Sequence, residues 1–173
     1  MSNKPLALSL GFLLITLGLN AQALAPLTAT SLDDRVVTVP DSQKAVTVLV
    51  IGFSQKGGDQ TKPWAQRFAH DFGAEPRVAC YSVAQLSGVP SLLRSMVAGL
   101  IKVGTPGPDR ARFLTTFDDE VAWKGAAGFQ QPDDAYVVVI EHSGVVSRAH
   151  GPFTETLYAS KADVVRSLLQ SRQ

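Results

Sequence analysis

An apolar run rich in β-branched residues, Val46 to Phe53, constrains the fold of this chain more than any other segment. Such a run is typical of a strand that is buried on both faces of a sheet. Later in the sequence, Trp64, Phe68 and Phe72 recur at helical spacing, which predicts an amphipathic helix with one face on the core. The sequence therefore predicts a strand and a helix that are joined by a loop over Phe53–Trp64.

The later segments continue this alternation of strands and helices. The predicted strands are Val36–Val39, Val78–Val83, Arg112–Phe117, Tyr136–Ile140 and Val145–Arg148, and further helices begin at Pro90, Asp118 and Ser160. The helix from Pro90 has an apolar face made of Leu92, Leu93, Met96, Val97, Leu100 and Ile101. Alternation implies parallel pairing through crossovers, whereas the last two strands form a hairpin. The predicted fold class is α/β, a three-layer fold with a mixed central sheet, helices on both faces and a C-terminal β-hairpin followed by a helix.

The first 25 residues have the pattern of a secretory signal peptide. Lys4 precedes an apolar stretch from Leu6 to Leu19, and small residues behind it fit a cleavage site near Ala23 or Ala25. This stretch is shorter than the roughly 20 residues that a membrane span needs, so we expect a cleaved leader. The expected organisation is a signal peptide at 1–25, an N-terminal extension at 26–44 and one domain at 45–173, in a periplasmic or secreted protein.

Charge and cysteine content narrow the range of functions. The 16 Lys and Arg residues nearly balance the 15 Asp and Glu residues, and no basic stripe with interleaved aromatic residues occurs, which argues against nucleic-acid binding. His70, His142 and His150 are scattered along the chain, and neither a metal site nor a cofactor is predicted. Cys80 is the only cysteine, so it forms no internal disulfide. Within a predicted strand, it is expected to pack as a small hydrophobic residue.

Several short segments carry a resemblance to a known superfamily. They are Val48-Leu49-Val50-Ile51-Gly52-Phe53 before the predicted loop, Lys62-Pro63-Trp64 after it, and Asp134 to Ile140 followed by Gly144-Val145-Val146. Together with the closing hairpin and helix, they resemble the thioredoxin-like superfamily in its redoxin and peroxiredoxin-like branch. Phe53-Ser54, Leu93-Arg94-Ser95 and the stretch from Tyr136 through Glu141 to Gly144 further resemble the mitochondrial ATP-synthase assembly factor family and its bacterial relatives.

The resemblance implies a redox site whose reactive residues have been replaced. Redox-active members carry Cys-x-x-Cys between the first central strand and its helix, and here the corresponding residues are Gly58-Asp59-Gln60-Thr61. Thr61 is expected to cap the helix behind it. Redox members also place a cis-proline directly before the hairpin, whereas Pro132 lies early and Asp133-Asp134 intervene. Both halves of the redox site are therefore altered.

Two functions from different classes remain open at this point. The first is an exported, redox-inactive protein that binds a polypeptide partner, such as a membrane-associated one, as an envelope chaperone or assembly factor. The expected partner-binding residues are Lys56, Gly57, Gly58, Asp59, Gln60, Thr61, Lys62, Trp64, Asp133 and Asp134. The alternative is a single-cysteine thiol peroxidase or oxidoreductase that uses Cys80. That enzyme would need an exposed thiol with a lowered pKa beside a cation such as Arg77.

Overall fold

The computed structural model describes residues 22–142 and 144–171 and shows a three-layer α/β fold. In these ranges one sheet contains β1 (Gln22–Ala23), β2 (Leu27–Ser31), β3 (Val36–Val39), β4 (Val46–Gly52), β5 (Val78–Gln85), β6 (Phe113–Thr116), β7 (Ala135–Glu141) and β8 (Gly144–His150). The α-helices are α1 (Gln55–Phe72), α2 (Arg94–Gly104), α3 (Glu120–Ala127) and α4 (Glu155–Gln170), and short 3-10 helices at Ser91–Leu93 and Gly107–Arg112 flank α2. None of the helices described here combines the length and the apolar character that crossing a bilayer requires.

The strands follow the order β1-β8-β7-β4-β5-β6-β2-β3 across the sheet. β4, β5 and β6 run parallel to one another, because helices carry the chain back between them. β7 pairs antiparallel with both β4 and β8, so the predicted C-terminal hairpin is confirmed. This mixed sheet between helical layers also confirms the predicted fold class.

The sheet extends further toward the N-terminus than the sequence predicts. β2, which has no predicted counterpart, pairs with β6 and forms a hairpin with β3, the predicted edge strand. Leu27 and Ala29 of β2 are buried in the core, so the segment 26–44 contributes to the domain rather than preceding it. Of the predicted signal peptide, residues 1–21 lie outside the described ranges, and β1 pairs with β8 at the opposite edge of the sheet.

Two layers of side chains cover the faces of the sheet. On one face, α1 and α4 pack against β4 and β7 through residues such as Trp64, Phe68 and Tyr158. On the other face, α3 packs Trp123 against Leu114 and the central strands. Since β4 lies between β5 and β7 and beneath both layers, all of its residues are buried, as its continuous apolar run predicts.

Helix α1 begins at Gln55, well before the start that the aromatic spacing predicts at Trp64. The Ser54 hydroxyl oxygen accepts a hydrogen bond of 2.9 Å from the backbone N–H of Gly57 and caps the helix. Most of the segment predicted as a loop is therefore helical. The loop prediction was wrong because the two glycines and the proline in this segment have low helix propensity, which the cap and the tertiary packing override.

Helix α2 turns its apolar face toward solvent, although apolar residues at helical spacing usually pack on a core. None of its residues is buried. Val97 and Ile101 are half-buried, so the helix leans on the domain through these side chains. Leu100 and Val103 remain 65% and 83% exposed.

Helix α4 begins at Glu155, ahead of the predicted start at Ser160. The Thr154 hydroxyl oxygen accepts a hydrogen bond of 3.2 Å from the backbone N–H of Leu157, which satisfies one of the free donors at the helix start. Ser160 therefore lies inside the helix, and the prediction of a start there was wrong.

A hydrogen bond between the two helices on this face makes stability depend on pH. The Tyr158 hydroxyl donates to Asp71 at 2.6 Å, and this bond, followed by those from His70 and Arg67, lowers the pKa of Asp71 to about 2. A carboxyl group whose pKa is lowered by folding stabilises the protein above its unfolded pKa, and that contribution is lost as the pH falls toward 2. We expect Tyr158→Phe to cost about 1 kcal/mol at pH 7, because the pair is partly solvated. Urea unfolding at pH 7 and at low pH measures this loss of stability, which should be smaller at low pH. An equal loss at both pH values would contradict the assignment of the lowered Asp71 pKa to this hydrogen bond.

Candidate functional site

One edge of the sheet gathers the segments that carry the predicted site. The parallel strands end together there, since Gly52 aligns with Ala84 and Gln85 with Thr116. Ala135, the first residue of β7, pairs with Gly52. The starts of α1 and α3, the segment leading to α2 and the loop before β7 therefore meet at this edge, which we call the carboxyl edge. Ligands of open α/β sheets bind outside the carboxyl ends of the strands, so this edge is the first candidate for a binding site.

Asp133, in the loop before β7, holds that loop against the start of α1. Its carboxylate accepts a hydrogen bond of 2.9 Å from the Ser54 hydroxyl and lies 3.4 Å from Nζ of Lys56. Its carbonyl oxygen accepts a hydrogen bond of 2.8 Å from the Gln60 side-chain amide. A carboxylate also meets the positive end of the helix dipole here. The chain itself thus supplies an anion to this helix end.

The same loop packs directly on the backbone of Gly57, which is buried. A methyl group at Gly57 would lie 2.9 Å from the carbonyl oxygen of Pro132 and 2.9 Å from that of Asp134. Because these neighbours are backbone atoms, no side chain can move aside. Gly58, in contrast, has open space where a side chain would begin. The packing therefore requires glycine at 57 but not at 58.

The predicted partner-binding residues on α1 divide into an exposed and a buried group. The side chains of Lys56, Asp59 and Lys62 are 71%, 63% and 70% exposed, and Lys62 pairs with Asp59 at 2.7 Å. Thr61 and Trp64 are buried, and Trp64 has no exposed surface. Only the outer side of the first turns of α1 is therefore available to a partner, and Trp64 serves the core instead of a surface.

The redox positions of the fold contain no thiol. Residues 58–61, which the family resemblance matches to the Cys-x-x-Cys motif, lie within the first turns of α1. Thr61 is not the helix cap that the sequence predicts; its hydroxyl donates a hydrogen bond of 2.7 Å to the Gly58 carbonyl inside the helix. In the described ranges the cis peptide bond is Val39–Pro40, so Pro132 does not take the place of the cis-proline.

Cys80 lies on β5 on the sheet face that α1 covers, where it packs against the core. Burial raises the pKa of its thiol to about 12, and the positive charge of Arg112 offsets this only in part. Arg77, the cation considered from the sequence, pairs with Glu75 at 2.9 Å. The structure therefore favours the interpretation of Cys80 as a small hydrophobic residue and argues against a thiolate nucleophile.

We expect native Cys80 to react with iodoacetamide at pH 8 at least tenfold more slowly than the same thiol in urea. The reason is that a thiol with a raised pKa contains little thiolate at this pH. Mass spectrometry of the modified chain measures both rates, and Cys80→Ala is the control for modification at other residues. Rapid modification of the folded protein would show that the thiol is accessible and activated.

An exposed apolar stripe begins near the carboxyl edge and runs along α2. This α2 stripe consists of Leu92, Leu93, Met96, Leu100 and Val103, which are 94%, 44%, 56%, 65% and 83% exposed. Leu92 and Leu93 lie on the 3-10 helix that precedes α2, and spacings of four and three residues place Met96, Leu100 and Val103 on one side of α2. Contiguous apolar surface that stays open to water commonly marks an interaction site. The apolar spacing is visible in the sequence, but its exposure is not, so sequence reasoning missed this surface.

The histidines lie too far apart to share a metal ion. His142 follows β7 at the hairpin turn, whereas His150 ends β8 at the far end of the hairpin and contacts Asp134 at 2.8 Å. His70 lies on α1 beside Asp71. Within residues 22–142 and 144–171, no group of three His, Cys, Asp or Glu side chains is placed to hold a metal ion.

Comparison with solved structures identifies the class of fold. The thioredoxin domain of a thiol-disulfide oxidoreductase from Bacteroides vulgatus is 11% identical, with a TM-score of 0.59 over 84% of this chain and 96% of that one. The pneumococcal exposed lipoprotein thioredoxin Etrx1 from Streptococcus pneumoniae is 14% identical, with a TM-score of 0.57 over 84% and 99%. BsSco, a member of the Sco family of cytochrome c oxidase assembly proteins, is 12% identical, with a TM-score of 0.57 over 86% and 94%. No family model and no curated protein matches the sequence.

The chain therefore has a thioredoxin-like fold, as its sequence motifs predict. At these identities the likeness concerns the fold, and the resemblance to the ATP-synthase assembly factor family stays a prediction.

Proposed function

We propose that this protein is an exported, redox-inactive member of the thioredoxin-fold proteins that binds an apolar segment of another polypeptide, as a chaperone or assembly factor of the cell envelope. The α2 stripe is the observation that carries this proposal. It presents apolar side chains along α2 and the short 3-10 helix before it, beginning near the edge where α/β folds bind their ligands. A membrane-associated polypeptide is one partner that would offer a matching apolar segment.

The size of the α2 stripe indicates reversible binding. Fully burying one Leu, Met or Val side chain contributes about 1.5–3 kcal/mol, so covering these partly exposed side chains would contribute on the order of 5–10 kcal/mol. Association costs on the order of 4–15 kcal/mol in lost freedom. The apolar contact alone is therefore marginal, and tighter binding needs polar contacts. Lys56, Asp59 and Lys62 on the exposed side of α1 are available for such contacts.

Features outside the stripe support export and a role in assembly. The N-terminal pattern of Lys4, an apolar stretch and small residues is that of a secretory leader. One similar structure is an exposed lipoprotein thioredoxin, and another belongs to a family of cytochrome c oxidase assembly proteins. From these two similarities we infer that this chain is also exported and also takes part in the assembly of another protein.

The alternative, a peroxidase or oxidoreductase, depends on Cys80 alone. Such chemistry needs an accessible thiolate and normally a second thiol to resolve the oxidised form. Burial raises the pKa of Cys80 to about 12, and the chain has no second cysteine. Binding without redox chemistry therefore agrees better with the geometry.

Aggregation of a heat-unfolded client, citrate synthase, tests the proposal. We expect the wild-type protein to suppress light scattering and the double variant Leu100→Ser, Val103→Ser to lose most of this effect. Val121→Ser is the matched control, because Val121 lies on α3, outside the stripe, and is 86% exposed. Equal suppression by all three proteins would overturn the assignment of the stripe. Insulin reduction that disappears in Cys80→Ser would overturn the redox-inactive assignment.

The polar flank can be tested separately with the same client. Exchanging the charges in Asp59→Lys and Lys62→Glu should change client affinity a few-fold without changing the fold, since both side chains are exposed. Asp133 is unsuitable for such a test, because it holds the loop before β7 on α1. Unchanged affinity in both variants would exclude this flank from the interface.

A further inference from the structure

A cleft separates α1 from the segment that follows α2. Its volume is about 460 Å³, within the range of pockets that hold small molecules. Val50 and Cys80 belong to its strand side, and Ala65, Phe68 and Ala69 line it from α1. These side chains are mostly apolar and small, so the cleft can accept an aliphatic chain. This cleft is distinct from the carboxyl-edge junction at Asp133 and from the α2 stripe.

The charged residues around the cleft differ in whether they are already paired. Lys62 forms an ion pair with Asp59 at 2.7 Å. Arg112 has no carboxylate partner in the described part of the chain, and its hydrogen bond to the Gly73 carbonyl is long, at 3.5 Å. Asp109 also lines the cleft. Arg112 is thus the cation whose charge is left for a ligand.

Arg112 lies where this cleft meets a second, smaller cavity. That cavity has a volume of about 230 Å³ and is lined by Phe72, Gly73 and Pro76, among others. Cys80, Tyr81 and Arg112 line both spaces, whereas Asp109 lines only the larger one. Of the charged residues in the smaller cavity, Glu75 pairs with Arg77 and Lys44 donates a hydrogen bond to the Pro76 carbonyl. A ligand that extends along the apolar wall can therefore bring a head group to the guanidinium while it passes the Cys80 thiol.

We propose that this cleft binds a fatty carboxylate, with its aliphatic chain between α1 and β5 and its carboxylate on Arg112. A guanidinium group matches a carboxylate with two parallel hydrogen bonds, which a neutral or cationic head group cannot form. The apolar lining of the cleft supplies the contact area for the chain. This inference does not depend on polypeptide binding by the α2 stripe.

Protection of Cys80 from alkylation by iodoacetamide at pH 9 provides the test, because Cys80 lines the cleft and is the only cysteine. The probes are dodecanoate, dodecanol and dodecyltrimethylammonium, each below its micellar concentration. We expect saturating dodecanoate to slow alkylation at least tenfold and the other two probes to have little effect. Isothermal titration calorimetry of dodecanoate with the wild-type protein gives an independent binding measurement.

Two kinds of variant distinguish the head-group contact from the cleft. Arg112→Gln should weaken dodecanoate binding at least tenfold, and Ala69→Phe, which fills the cleft, should abolish both protection and binding heat. Ala65→Leu replaces Ala69→Phe if the latter does not fold by circular dichroism. Lys124→Gln is the matched control, since Lys124 lies on α3 over the other face of the sheet and should leave binding unchanged.

Several results would overturn the inference. They are equal protection by all three probes, dodecanoate binding that survives both the Arg112 and the cleft-filling variants, and the absence of binding to the wild-type protein. Loss of client binding in the α2 stripe variants with unchanged dodecanoate binding would leave this inference intact. The two proposals can therefore fail independently.

Discussion

Replacing Trp64 with alanine is expected to lower the free energy of unfolding by about 3–5 kcal/mol. The indole is fully buried. It lies 5.3 Å from the ring of Phe153 and 6.4 Å from the rings of Phe68 and Tyr158. Its removal would leave a cavity where α1 meets α4, and the Gly151 carbonyl would lose the indole N–H that lies 3.4 Å away. Domains of this size are stable by about 5–15 kcal/mol, so the variant should be marginal.

Urea unfolding followed by far-ultraviolet circular dichroism measures this loss. Trp64→Phe keeps part of the ring contact and should fall between the wild type and Trp64→Ala. Val121→Ala, at a site that is 86% exposed, should change stability by less than about 0.5 kcal/mol. A loss below about 1 kcal/mol for Trp64→Ala would be too small for a core aromatic residue. Such a result would favour the sequence-based prediction that Trp64 contacts a partner.

Alanine at Gly57 and at Gly58 is expected to act in opposite directions. Both positions lie in α1, where alanine is intrinsically preferred to glycine by about 1 kcal/mol. Gly58→Ala should stabilise the protein by about 0.5–1 kcal/mol, because nothing lies near the added methyl group. Gly57→Ala should destabilise it by about 1–3 kcal/mol, because the methyl group would meet two carbonyl oxygens at 2.9 Å.

The two alanine variants differ by one position and control for each other. Urea midpoints give their relative stability, and amide hydrogen exchange shows whether the loop at 132–134 loosens only in Gly57→Ala. Stabilisation of similar size in both variants would mean that this loop does not pack on the helix. In that case the start of α1 would be an open surface, as the sequence prediction of a loop there implies.

Much of the scaffold could be predicted because its signals are local. The continuous apolar run of β4 indicates burial on both faces, and the spacing of Trp64, Phe68 and Phe72 indicates one buried helix face. The apolar strand before His142 indicates the hairpin of β7 and β8. Each of these patterns is contained within a few neighbouring residues, and the structure confirms each one.

The candidate site was less predictable, because it depends on contacts between distant parts of the chain. Local propensity indicates a loop around Gly57, yet Ser54 caps a helix there and the loop before β7 packs on it. Ser54 and Asp133, which are joined by a hydrogen bond, lie 79 residues apart. The apolar pattern of α2 predicts a helix equally well whether that face is covered or open. Only the folded chain shows that it is open.

The sequence by itself determined the order of the four α-helices and of strands β3 to β8, and it shows that residues 58–61 contain no cysteine, because local spacing and residue identity are sufficient for these two points. The tertiary structure decided which of the remaining groups meet solvent and which meet one another. Burial raises the pKa of Cys80, Asp133 closes the start of α1, and Arg112 stays without a carboxylate partner in the described ranges. These properties arise from burial and from pairing across the fold, and neither can be deduced from neighbouring residues in the chain.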